Sequence, residues 1–303
     1  MRASFLQSIA CILLIAMAVF AVSSCSSDIH EAESSGELIS FPTKLPTRNT
    51  GGSAGDLEGR TIVITIFVSD ENYVWEPIGE DIASAVKVRD FLGIAADFLE
   101  RAAAGYGRKA WFTTDFISNR DLCYTVEFDS VVADEDIVYN GQIDNMMWQF
   151  IGENINEEAL RQEYRADNVV YMAVMDTDVR SDVITCTRNW YPGMPSEAEI
   201  VYLFNFDYGQ LNPPAVYAHE ILHTFGAPDY YMSSYEYGIT DEFVNYVQRQ
   251  MYNDIMYSCS DVQTGEYLYD RITNEVSELT AYYVGLIDSS EIADEWGLED
   301  PYR

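Results

Sequence analysis

Apolar residues run almost unbroken from Ile9 to Val22, thin out across residues 26–58, and return from Thr61 onward in short, patterned blocks. The first block, Thr61–Val68 (TIVITIFV), is rich in β-branched residues and predicts a strand. Asp81–Ala104 changes period: Ile82, Val86, Val88, Phe91, Leu92, Ala95, Phe98 and Leu99 recur at the spacing of one helix face. Extended segments are expected around Ala110–Phe112 and Cys123–Phe128, then helices over Asp144–Ile151 and Glu157–Tyr164. Val169–Met175 (VVYMAVM) and Ile200–Phe206 (IVYLFNF) are continuous apolar runs of the length of buried strands. Further helices are predicted at Pro214–Phe225, where Pro213 and Pro214 suit a helix start, at Thr240–Gln250 and at Glu275–Ile287. Trp111, Trp148, Met146, Met147 and Met172 read as core filling. No internal repeat and no further composition shift interrupts residues 60–303, so they are expected to form one domain of α+β, α/β-like plan.

Candidate chemistry concentrates in one of these helices. The chain has only three histidines, and two of them, His219 and His223, stand four residues apart in the string Ala218-His219-Glu220-Ile221-Leu222-His223-Thr224-Phe225-Gly226-Ala227-Pro228-Asp229. Positions four apart share a helix face, so both imidazoles can address one metal ion. Glu220 sits one residue round, where it can reach a water at the metal without binding the metal itself. Gly226 suits the left-handed residue that ends a helix, and Pro228 cannot continue one. The remaining histidine, His30, lies in the polar N-terminal stretch, so a third protein ligand must be a carboxylate. Asp229 stands where the reversed chain would bring it back to the ion, giving three ligands and one open position, the pattern of a catalytic zinc.

This H-E-x-x-H-x-x-G-x-x-D string resembles the zinc signature of the metzincin clan of metallopeptidases, and within it the snapalysin and immune-inhibitor-A-like peptidases with aspartate as third ligand. The clan has a methionine-containing turn beneath the metal, and Asn253-Asp254-Ile255-Met256-Tyr257 is similar to it, which would make Met256 a hydrophobic floor. The resemblance covers roughly residues 200–260 and implies a metzincin-type domain: a twisted mixed sheet, a zinc-binding helix, a methionine turn and a C-terminal helix. It implies peptide-bond hydrolysis with one zinc and with Glu220 as general base. In several metzincins a tyrosine two residues past the methionine assists at the metal; Tyr257 comes one residue past, and Tyr257 and Tyr230, or Tyr231, are candidates for the substrate side. A rival third ligand is Glu275, since Asn274-Glu275-Val276-Ser277-Glu278 resembles the zinc-glutamate helix of thermolysin-like enzymes.

The N-terminus adds an address. Arg2, the apolar run and then Val22-Ser23-Ser24-Cys25 resemble a bacterial lipoprotein signal of residues 1–24, with Cys25 as the lipidated residue. Residues 25–59, rich in Ser, Gly and acidic groups, read as a flexible tether holding the domain outside the cell membrane. Fifty acidic against 17 basic residues give a net charge of −33, which repels nucleic acid and favours neutral or cationic protein or peptide substrates. Asp176-Thr177-Asp178 with Asp182, and Asp134-Glu135-Asp136, are candidate calcium ligands without an EF-hand pattern. Cys123, Cys186 and Cys259 remain in the exported part, so at most one disulfide is expected among them. The reading from another class is a surface lipoprotein that binds a partner and holds zinc only structurally, which would need a fourth protein ligand.

Overall fold

The computed structural model describes residues 52–130, 142–179, 186–190, 199–207, 210–235 and 237–299, without the side chains of Asp144 and residues 176–207. The signal, Cys25, most of the tether and the carboxylates at 134–136 and 182 lie outside these residues, as do the side chains of Asp176, Asp178 and Cys186.

Seven strands form an open, mostly parallel sheet: β1 (Gly59–Ser69), β2 (Ala110–Thr113), β3 (Cys123–Glu127), β4 (Asn168–Val179), β5 (Cys186–Trp190), β6 (Glu199–Asp207) and β7 (Gln210–Leu211). The order is β2-β1-β4-β6-β5, with β3 also on β1 and β7 on β6. β1 pairs in parallel with β2, β3 and β4, and β4 with β6, while β5 and β7 run antiparallel to β6. Among the described residues the helices are α1 (Ile82–Gly105), α2 (Gln142–Asn154), α3 (Glu157–Tyr164), α4 (Pro214–Thr224), α5 (Asp241–Gln250), α6 (Glu278–Tyr283) and α7 (Glu291–Trp296).

Both faces of the sheet are covered, which is why its central strands read as unbroken apolar runs. Ile62, Ile64, Ile66, Val169, Tyr171 and Ala173 pack on one face against Met147, Trp148 and Ile151 of α2 and Leu160 of α3. Val63, Phe67, Val170, Met172 and Val174 point to the other face, into a larger core with α1, α4 and the C-terminal helices. Phe91 of α1 meets Tyr217 of α4 edge-on at 5.8 Å, which seats the histidine helix over this second face.

Several expectations are corrected. The helix predicted over Glu275–Ile287 shrinks to α6, because Glu275 is held extended against the 253–255 segment: Ile255 N donates to Glu275 O (2.9 Å) and Glu275 N to Asn253 O (3.0 Å). Ser277 then caps α6, and Gly285, at φ 76°, turns the chain away after it. Ile82 and Trp111, placed in the core by pattern, are about half exposed; Ile82 opens the first turn of α1, and Trp111 lies on the edge strand β2. β5, β7 and α7 were not anticipated: the first two are short edge elements without apolar alternation, and α7 has only six residues between the Ser290 cap and Gly297. Residues 52–58, assigned to the tether, are packed on the domain, with Ala54 and Leu57 buried. Their polar composition concealed backbone hydrogen bonds from Ala54 N to Thr224 O (2.9 Å) and from Leu57 N to Val284 O (2.8 Å).

Candidate metal centre

The centre is built on α4, every residue of which is buried. Pro214 stands at its first position, where the missing amide hydrogen costs nothing. At the other end Gly226 takes φ 102°, with Gly226 N bonded to His223 O (2.8 Å) and Ala227 N to Leu222 O (3.1 Å). These two bonds form a Schellman turn, and the turn reverses the chain so that Asp229 faces the helix it has just left.

The result is a tight triangle. His219 Nε2 lies 3.1 Å from His223 Nε2 and 3.1 Å from Asp229 Oδ1, and His223 Nε2 lies 3.3 Å from the same oxygen. Three donors at bonds of ~2.0–2.1 Å to one tetrahedral ion stand about 3.3 Å apart, so the edges match zinc geometry. The other ring nitrogens point the same way. His219 Nδ1 contacts Ile255 O at 2.9 Å and His223 Nδ1 contacts Ala227 O at 2.7 Å. A carbonyl only accepts, so each Nδ1 carries the hydrogen, and in the neutral rings each Nε2 presents a lone pair to the triangle. Two lone pairs and a carboxylate oxygen at these distances repel unless a cation, proton or metal, sits among them.

The electrostatics agree. Burial works against charge on His219, yet the neighbouring Cys259 sulfur and the Asp229 and Glu220 carboxylates hold its imidazole well above the usual histidine range. Burial likewise opposes charge on Asp229, but the two imidazoles hold its carboxyl far below the usual range. The Asp229 side chain keeps a quarter of its surface exposed, while Oδ1, the oxygen that faces the histidines, is buried. Glu220 is buried on the same helix, with Oε1 3.9 Å from His219 Nε2.

Each candidate now has a place. His219, His223 and Asp229 form the single cluster of metal-ligating side chains among the described residues; no fourth ligand joins them. Glu275 is not in it, and its side chain is exposed. Met256 is buried in the same core as Ile221 and Leu222, one residue after the Ile255 carbonyl that orients His219. Tyr257 is partly buried against that core. Tyr230 is corrected: it is fully buried, its hydroxyl 3.2 Å from Thr280 Oγ1, and offers nothing to a substrate. Its neighbour Tyr231 is the exposed one, half open to solvent and stacked on the His219 ring at 6.3 Å and 25°. Burial and the Asp229 charge push its phenol up, so it stays protonated at neutral pH. Cys123 and Cys259 form no disulfide.

Asp254 is the residue that motif reading passed over. It is completely buried and accepts from Met256 N (2.7 Å), Ser277 N (3.0 Å) and Thr280 Oγ1 (2.8 Å). One carboxylate thus ties the methionine turn to the start of α6. Its only sequence signal is an acid two residues before Met256.

No protein-family model matches the chain, and no curated protein is similar enough in sequence to count as a relative.

Proposed function

We propose that this protein is a zinc-dependent metallopeptidase of metzincin type, exported and anchored to the cell membrane through Cys25. The observation that carries the reading is the triangle of His219 Nε2, His223 Nε2 and Asp229 Oδ1, with edges of 3.1–3.3 Å and three protein donors among the described residues. Three protein ligands leave a fourth position for water or substrate, which favours a catalytic over a structural zinc. Zinc held there would supply Lewis acidity toward the scissile carbonyl and toward a water. The chain's own groups supply the rest. His219 and His223 keep their Nε2 atoms on target through their Nδ1–H bonds to Ile255 O and Ala227 O. Glu220 takes the proton of the attacking water and passes it to the departing amine as the C–N bond breaks. β5, an edge strand of the sheet among the described residues, touches α4 and is the strand along which an extended peptide can align. The order from β1 and α1 through α4 and the Met256 turn to the last helices supports the metzincin comparison.

The test is zinc content and casein or peptide-library cleavage, wild type beside Glu220→Ala. Zinc in both proteins and a loss of cleavage of about 10³-fold in the variant is the expected outcome. A fully active Glu220→Ala would sink the mechanism. Zinc in both with cleavage by neither would favour a binding lipoprotein that uses its zinc structurally.

A further inference from the structure

The turn between His223 and Asp229 does not stand alone. The last carbonyls of α4 are accounted for one by one: Ile221 O accepts from Thr224 Oγ1 (2.7 Å), Leu222 O from Phe225 N and Ala227 N (both 3.1 Å), and His223 O from Gly226 N (2.8 Å). Thr224 O is capped from outside, by Ala54 N at 2.9 Å. Two residues earlier the same segment passes so close that a Cβ on Gly52 would collide with the Thr224 carbonyl and stand 2.6 Å from Gly226 N. Only glycine fits there, and it fits against the backbone that swings Asp229 toward the histidines.

The segment is itself held down. Leu57 is fully buried and its N–H bonds to Val284 O (2.8 Å), while Asn168 Nδ2 donates to Asp56 O (3.2 Å) and Glu58 O (2.9 Å). Residues 52–58 therefore form a strap pinned to β4 and to the end of α6 at one end and pressed on the Thr224–Gly226 turn at the other. That turn carries two functions at once. It places Asp229, and through Ala227 O it orients His223 by the 2.7 Å bond to Nδ1.

We infer that the strap of residues 52–58 is a positioning element of the metal centre, holding the Thr224–Gly226 turn so that Asp229 and His223 stay aligned for the ion. The inference rests on the proposed metal site. None of the strap residues is a ligand; they act through the turn, as groups behind metal ligands do elsewhere. Coupling of this kind is reciprocal: whatever the strap contributes to metal binding, bound metal must return to the docking of the strap.

The experiment uses the full chain and zinc alone. Zinc affinity is measured by chelator competition for wild type, Gly52→Ala and Gly52→Val, and thermal midpoints are taken in excess EDTA. The comparator is Leu160→Ala, a buried truncation on the far face of the sheet. The strap predicts at least about tenfold weaker zinc binding for Gly52→Ala and more for Gly52→Val. Leu160→Ala should lower the EDTA midpoint yet leave zinc affinity unchanged. In wild type, zinc should slow hydrogen exchange at the Ala54 amide, a readout that stands even if neither Gly52 variant folds. Wild-type affinity in Gly52→Ala, or an Ala54 amide indifferent to zinc, overturns the strap while leaving the metal site in place. A wild type that takes up no zinc overturns the metal site and the strap together.

Discussion

Replacing Asp254 by Ala tests whether the site is held by the buried link beneath it. The carboxylate accepts three hydrogen bonds of 2.7–3.0 Å from Met256 N, Ser277 N and Thr280 Oγ1, with no exposed surface of its own. Truncation leaves the Met256 and Ser277 amides unpaired in the core, at ~1–3 kcal/mol each, and leaves Thr280 Oγ1 with only its longer contact to the Tyr230 hydroxyl. Burying a charge is itself unfavourable, which offsets part of that sum. A net loss of about 3–5 kcal/mol is expected, read as a shift of the urea midpoint with unchanged slope. Asp254→Asn keeps one acceptor oxygen and should lose about 1–3 kcal/mol. The functional consequence follows from Ile255, whose carbonyl holds His219 Nδ1 at 2.9 Å and whose own amide pairs with Glu275 O. Loosening the turn should weaken zinc binding about 10–100-fold in Asp254→Ala. The pH dependence has a definite sign. Burial raises the Asp254 carboxyl above its ordinary value, so the native state keeps that proton to higher pH than the unfolded chain does. Its contribution to stability therefore falls as pH rises from the ordinary aspartate range to the raised value, and Asp254→Asn should remove that slope. An Asp254→Ala protein within about 0.5 kcal/mol of wild type would refute the reasoning.

Two further outcomes follow from the ligand set. Asp229→Ala should lose stoichiometric zinc while Glu275→Ala keeps it, as metal analysis after dialysis would show; the reverse would restore Glu275 as third ligand. The stabilisation that zinc confers should grow with pH. In the metal-free protein the raised His219 contributes stability that is complete below the ordinary histidine range and is lost as pH climbs through its raised value. The lowered Asp229 contributes stability that is present above the ordinary aspartate range and is lost as pH falls toward its depressed value. Zinc requires both imidazoles without that extra proton, so the gap between zinc-loaded and EDTA-treated melting temperatures should widen from about pH 5 to about pH 8. A gap that stays level or narrows would contradict the assigned ligand set.

The sequence by itself determined whatever depends on local periodicity and short-range spacing. The runs at Thr61–Val68 and Val169–Met175 are strands buried on both faces, a condition that local composition records directly, and Ile200–Phe206 is a strand as its pattern predicts. His219, Glu220 and His223 were legible because helix geometry alone puts them side by side, and Gly226 because a left-handed turn selects glycine. Tertiary structure decided the remainder, since it depends on which distant backbone lies alongside. That Asp229 rather than Glu275 lies beside the two histidines reflects the pairing of Glu275 with the 253–255 segment, a contact 20 or more residues away along the chain. Tyr230 and Tyr231 are equal in a sequence; only their placement sends one into the core beside Thr280 and the other over the His219 ring. Residues 52–58 read as tether because their composition is polar, and their anchoring lies in backbone hydrogen bonds to Thr224 and Val284, which side-chain patterns do not record.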